Sequence, residues 1–110
     1  MDFAVRIVRM VKHLVKQMNY SEQPICTQIL RSGTSIGANI REAEHAESKD
    51  DFIHKMKVAL KEANETEYWL EILCKANYLN EEEYESMNCD CKELNKLLIA
   101  IVNSAKNKQE

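Results

Sequence analysis

Glycine occurs only twice and proline once in these 110 residues. Ala, Leu, Ile, Met, Glu and Lys, which lose little freedom in a helix, dominate instead, and no segment alternates as a half-buried strand does. No uncharged apolar run approaches the length that a bilayer crossing requires. The first eighteen residues carry Arg6, Arg9, Lys12 and Lys16 spread through them, unlike a secretion signal with its charged start and unbroken apolar stretch. A cytoplasmic location is therefore expected. With a net charge of −3, whole-molecule attraction to nucleic acid or an anionic membrane is not supported, and such a role would need a local basic face. Cys26, Cys74, Cys89 and Cys91 form no disulfide framework and read as reduced core or incidental residues. There is no Ser-His-Asp, Cys-His or phosphate-loop signature, so neither an enzyme nor a cofactor is expected.

What is present is helical periodicity. A single domain, residues 1–110, is expected, because four helices of roughly 17–28 residues can enclose one core whereas two domains would each be short of one. Helix 1 is predicted over about 2–18, with Phe3, Ile7, Met10, Val11, Leu14 and Met18 on one stripe. Ser21 is the expected N-cap of helix 2, over about 22–46, with Pro24 in its first turn. Wound at about 100° per residue, Ile25, Ile29, Ser32, Gly33, Ile36, Asn39, Ile40 and Ala43 share an arc about 120° wide. Ser48 with Asp51 reads as a variant capping box opening helix 3, over about 49–76. Its buried arc would hold Phe52, Ile53, Met56, Ala59, Leu60, Ala63, Leu70 and Cys74. Asn80 with Glu83 caps helix 4, over about 81–105, whose stripe is Tyr84, Met87, Cys91, Leu94, Leu97, Leu98, Ile101 and Ala105. Short connections make neighbours antiparallel, giving an all-α, antiparallel up-down-up-down four-helix bundle.

Four features bear on function. Gly33 and Gly37 lie inside helix 2, where each costs about 1 kcal/mol relative to Ala; the small residues from Ser32 to Asn39 are expected to let another helix approach closely, with a ligand or partner contact as the alternative. On helix 3, Val58, Trp69 and Ile72 lie roughly opposite the buried arc, which would leave Trp69 in water in a monomer and makes them the candidate oligomer interface. Glu67 falls inside the buried arc and needs a partner or a proton. Glu42-x-x-His45 and Asp51-x-x-His54 imitate the spacing of di-iron bundles, but His45 points about 180° and Glu42 about 120° from Ile36, so no metal is expected. Arg9, Lys12 and Lys16 occupy about 60° of helix 1 away from its apolar stripe, in a segment (residues 1–20) with four cations and one acid. They are the candidate polyanion-binding face, for RNA or DNA, and symmetry in an oligomer would multiply it. No aromatic platform interleaves with them, so base-specific reading is not indicated.

Three segments together carry a family resemblance: Ser32-Gly-Thr-Ser-Ile-Gly-Ala-Asn-Ile-Arg-Glu42, Ser48-Lys-Asp-Asp-Phe-Ile53 and Ala59-Leu-Lys-Glu-Ala-Asn-Glu-Thr-Glu-Tyr-Trp-Leu70. The chain resembles the bacterial four-helix-bundle family first noticed as proteins encoded in intervening sequences of 23S rRNA genes. Ala43 stands where many relatives have Gly. The resemblance implies a small bundle assembling into a homopentameric ring, as the related accessory protein of diversity-generating retroelements does; that relative is basic and binds nucleic acid and a reverse transcriptase. By motif position Ser35, Asn39 and Glu42 match the family's polar residues, and with Ile36 and Ile40 they are assigned to bundle architecture. The expected function is a non-enzymatic homo-oligomeric scaffold binding RNA or another polyanion through helix 1. The alternative is a protein-interaction module, an accessory subunit for a polymerase or a neighbouring gene product.

Overall fold

Local chemistry sets where each helix starts and stops. The computed structural model describes residues 2–109, which form α1 (Asp2–Leu14), a 3₁₀ turn (Val15–Gln17), α2 (Gln23–Glu44), α3 (Lys49–Lys75) and α4 (Glu81–Gln109). The described residues contain no strand. Asn80 and Glu83 make a complete capping box: the Glu83 N–H donates to Asn80 Oδ1 at 2.8 Å, and the Asn80 N–H to Glu83 Oε1 at 3.0 Å. At α3 the Asp51 N–H donates to Ser48 Oγ at 3.0 Å, but the Asp51 carboxylate accepts from Glu47 N–H, one residue further out than in the usual box. The expected cap at Ser21 is corrected. Asn19 organises that turn, its Oδ1 accepting from both Ser21 Oγ and Glu22 N–H, and α2 opens at Gln23 with Pro24 in its first turn. Beyond the end of α3, Asn77 turns the chain with a left-handed φ of 69°. Tyr78 N–H donates to Leu73 O and Asn77 N–H to Cys74 O, the paired bonds of a Schellman stop.

Three boundaries differ from expectation by two residues or more, the first being α2, which stops at Glu44 instead of about 46. Helix 1 tightens into the 3₁₀ turn after Leu14, and α4 runs four residues past 105. The four helices make an all-α four-helix bundle, 50 × 23 × 20 Å. Ile7, Leu14, Ile29, Ile36, Leu70, Leu73, Cys91 and Leu98 are fully buried at its centre, where each large aliphatic side chain contributes about 1.5–3 kcal/mol. Helix α2 packs along α3, α3 along α4, and α1 on α2; α1 touches α4 only lightly.

Length explains one error in the predicted core. Helix α1 spans roughly 20 Å and α4 roughly 43 Å at 1.5 Å per residue. Arg6 of α1 pairs with Asp90 and donates to Ser86, so α4 continues well past the first described residue of α1. Leu97, two turns beyond Asp90 on the same face, was expected in the core but is 55% exposed because no α1 lies beside it. Asn95 and Val102 are buried instead. On α3 the buried set gains Thr66 and Leu73, while Phe52, Leu60 and Cys74 sit at the core's edge. No described helix is long and apolar enough to cross a membrane.

Candidate functional site

The small-residue segment of α2 meets three different surroundings. Ser32 faces α3, where Thr66 Oγ1 lies 3.0 Å from Ser32 Oγ and 2.8 Å from Glu62 O, both hydroxyls being fully buried. Gly33 faces α1: a Cβ built there would lie 2.9 Å from Ile7 Cγ1 and 3.0 Å from Cγ2. This glycine is required by the close approach of the two helices. Gly37, one turn on, has nothing within 4 Å of the position a Cβ would take. The expected seam between helices 2 and 3 is thus met by Ser32; Gly33 serves close packing but against α1, and Gly37 meets no described neighbour at its Cβ position.

Gly37 opens onto the outer face shared by α1 and α2. A shallow groove of about 310 Å³ there is lined by Ala4, Thr34, Gly37, Ala38, Ile40, Arg41 and Glu44. Val8 is 46% exposed, and Val5 and Leu30 are exposed as well. The hydroxyls on this stretch are already engaged: Thr34 Oγ1 donates to Leu30 O at 2.7 Å and Ser35 Oγ to Arg31 O at 2.6 Å. Such back-bonding to the preceding turn leaves methyl and backbone surface, not free donors, pointing outwards.

The second exposed surface lies on α3. Tyr68 is 57% exposed and lines, with Ile72, a shallow and mainly apolar groove. Trp69 is not left in water: it is half-buried against the core, edge-on to Tyr68, with Nε1 donating to Glu65 Oε2 at 3.3 Å. Glu65 also pairs with Arg31 of α2, which bridges to Glu62 at 3.1 Å. Trp69 thereby belongs to an α2–α3 clamp. Val58 and Ile72 are likewise half-buried.

The basic residues of helix 1 divide. Arg9, Lys12 and Lys16 are exposed and enter no ion pair among the described residues. Arg9, however, borders a groove of about 670 Å³ between α1 and α4 whose other wall holds Glu82 and Glu83. The acids oppose the cationic wall, so the positive surface is strongest at Lys12 and Lys16. No group of three or more His, Cys, Asp or Glu among the described residues is placed to hold a metal ion. Glu67 lies beside Cys91 and Tyr84. Cys91, donating to Ala63 O at 3.4 Å, has its thiol pushed up to about 12, chiefly by burial and then by the Glu67 charge.

This helical frame and its sequence match the model of the 23S rRNA-intervening sequence protein family over residues 1–100. The chain belongs to this family. It is also 58% identical to a crystal structure described as a protein with unknown function from the S23 ribosomal protein family of Bacteroides thetaiotaomicron VPI-5482, with 92% of each chain covered and a TM-score of 0.85. No curated protein matches the chain. In this family member the polar motif residues are occupied locally. Ser35 O accepts from Asn39 Nδ2 at 2.8 Å, Glu42 pairs with Lys55 of α3 at 3.2 Å, and Ile36 and Ile40 pack into or against the core. The amide of Asn39 bonds within its own helix.

Sequence reasoning missed the α1–α2 outer face. Its signal was available in Val5 and Val8, which lie off the apolar stripe of helix 1. It missed Asn95 too, a buried side chain whose Oδ1 has no hydrogen-bond partner among the described residues.

Proposed function

We propose that this chain is a non-catalytic, homo-oligomeric helical scaffold. One observation carries the reading: the outer α1–α2 face combines exposed Val5, Val8 and Leu30 with Gly37, a glycine that weakens the helix by about 1 kcal/mol although a Cβ there would meet nothing within 4 Å among the described residues. Close approach by another protein surface supplies the missing reason, since small residues let backbones come near. The family resemblance of the sequence implies five copies in a ring. Light scattering over a range of concentrations tests the reading. A mass several times that of one chain is expected, and a single-chain mass throughout contradicts it.

A polyanion contact is favoured by the exposure of Lys12 and Lys16 without ion-pair partners. Assembly would repeat this small positive surface, and binding through it would fall steeply with salt. Labelled structured RNA titrated at low and at physiological salt is the test. Binding lost in Lys12→Glu/Lys16→Glu supports the contact; no binding at low salt, or binding indifferent to the reversal, contradicts it. Capture of a protein partner that survives nuclease treatment would favour the accessory-subunit alternative.

A further inference from the structure

Where α4 continues past the first described residue of α1, its stripe of Leu97, Ile101, Ser104 and Lys108 has no α1 beside it. Lys49 and Phe52 in the first turn of α3 meet that part of α4 across a groove of about 510 Å³, a size within the range of small-molecule sites. The floor is apolar: Phe52 and Ile101 pack against the core, and Ala105 is buried. Among the described residues, Lys49 and Lys108 are the only charged side chains that line it, both exposed and in no ion pair. The acids of the same turn lie outside the lining. Asp51 accepts from Glu47 N–H and borders a different groove, beside Arg41 and His45, and Asp50 is exposed away from it. The two cations are also not spread along the groove. Cys91 donates to Ala63 O between antiparallel helices, and fourteen residues back along α3 and fourteen on along α4 bring Lys49 level with Ala105, a turn short of Lys108. Both lysines thus stand at one end, and the α4 stripe runs roughly 16 Å from there back to Leu97.

We infer that this groove binds a single-headed anionic amphiphile, an alkyl carboxylate whose head lies at the Lys49 and Lys108 end and whose chain runs along Phe52, Ile101 and Leu97. An acidic partner helix would call for cations along the whole groove. Here one end is charged and the rest is apolar, which is the polarity of a head and a tail. Lysine suits both parts of such a ligand: its ammonium group is a point charge for the carboxylate, and its methylene stem lies along apolar surface while the charge stays in water. Each methylene of the chain taken out of water adds to affinity, and the head fixes the direction in which the chain lies. The site is far from the positive surface of helix 1, because His13 and Leu14 border the other end of the bundle, at Leu79 and Asn80. It rests neither on that surface nor on assembly.

Titration calorimetry of the full chain with sodium decanoate, kept below its micelle concentration, tests this against two probes that each lack half of the recognition: acetate, which has no chain, and decyltrimethylammonium, which has the opposite charge. Decanoate should bind saturably, and each of the other two more weakly by about tenfold or more. Lys49→Glu/Lys108→Glu changes two exposed side chains and should cut decanoate affinity by about tenfold or more. Ser104→Trp fills the groove from an exposed position and should abolish decanoate binding, with wild-type helicity by circular dichroism in both variants. Equal binding of decanoate and decyltrimethylammonium by wild type would show adsorption without recognition of charge and overturn the inference. Decanoate binding that survives either variant at full strength, or no saturable binding at all, overturns it too. Binding to phosphatidylglycerol vesicles without binding of decanoate overturns it in favour of a membrane surface.

Discussion

Gly33 and Gly37 stand one turn apart in α2, and exchanging each for alanine should move the stability of the chain in opposite directions. At Gly33 the new Cβ meets Ile7 Cγ1 at 2.9 Å, Cγ2 at 3.0 Å and Cβ at 3.3 Å. Ile7 is β-branched, restricted in χ1 and fully buried, so it cannot swing aside and α1 must shift as a body. Overpacking of this kind costs about 1–3 kcal/mol, and helix propensity returns about 1, leaving Gly33→Ala destabilised by roughly 0–2 kcal/mol. At Gly37 nothing opposes the propensity gain, so Gly37→Ala should stabilise by about 1 kcal/mol. The two variants should thus differ by about 1–3 kcal/mol, at about 4–8 °C per kcal/mol for a domain approaching this size. Urea unfolding followed by circular dichroism measures the difference, at chain concentrations low enough that assembly does not contribute. Gly33→Ala matching or exceeding Gly37→Ala in stability would refute the reasoning.

Three further outcomes follow from the interior. Thr66→Val leaves the buried Ser32 Oγ with only its long donation to Ile29 O at 3.4 Å and should destabilise by about 1 kcal/mol, whereas Ser32→Ala/Thr66→Val should lose less than the two single changes added together; additive losses in a double-mutant cycle would count against the pair. Asn95→Leu replaces a buried side chain whose Oδ1 is unpartnered among the described residues with an apolar one of the same branching, and should raise the urea midpoint by the equivalent of about 1 kcal/mol; lower midpoints in both Asn95→Leu and the smaller Asn95→Val would mean that the amide is satisfied. The Cys91 thiol titrates higher in the fold than in the unfolded chain, so folding favours its protonated form. The stability linked to it is fully present below about pH 9 and is lost as pH rises towards about 12. Between pH 9 and 11 the urea midpoint of wild type should fall faster than that of Cys91→Ala, by up to about 1.4 kcal/mol per pH unit; parallel curves would contradict the assignment.

Much of this architecture was readable because helices announce themselves twice, in periodic apolar residues and in capping chemistry. Asn80 with Glu83 marked the start of α4 to the residue, and Phe3, Ile7 and Leu14 marked the buried side of α1. The misplacements have a common cause: periodicity gives the angle of a residue, while burial also depends on which neighbour is present at that height. Gly33 and Gly37 differ by only about 40° around the helix, and only the position of Ile7 separates a glycine that is needed from one that is open. Leu97 has the right angle but lies beyond the reach of α1. Thr66 and Asn95 look like surface residues by type and are buried because the spacing of their helices carries them inwards. Trp69 was set opposite the core, yet its indole folds back on α3 through Glu65, a rotamer choice that spacing does not encode. Among the surfaces, the basic ridge was visible as a pattern; the acids facing Arg9 across the α1–α4 groove come from the far end of the chain and needed the fold to be seen.

The solution mass of the full chain tests the central claim most directly. Light scattering or native mass spectrometry of the wild type should give an assembly of several copies, persisting on dilution into the micromolar range and lost in Gly37→Glu while helicity is kept. A wild-type chain that remains single at every concentration would contradict it, and the exposed α1–α2 face would then have no second copy to cover it.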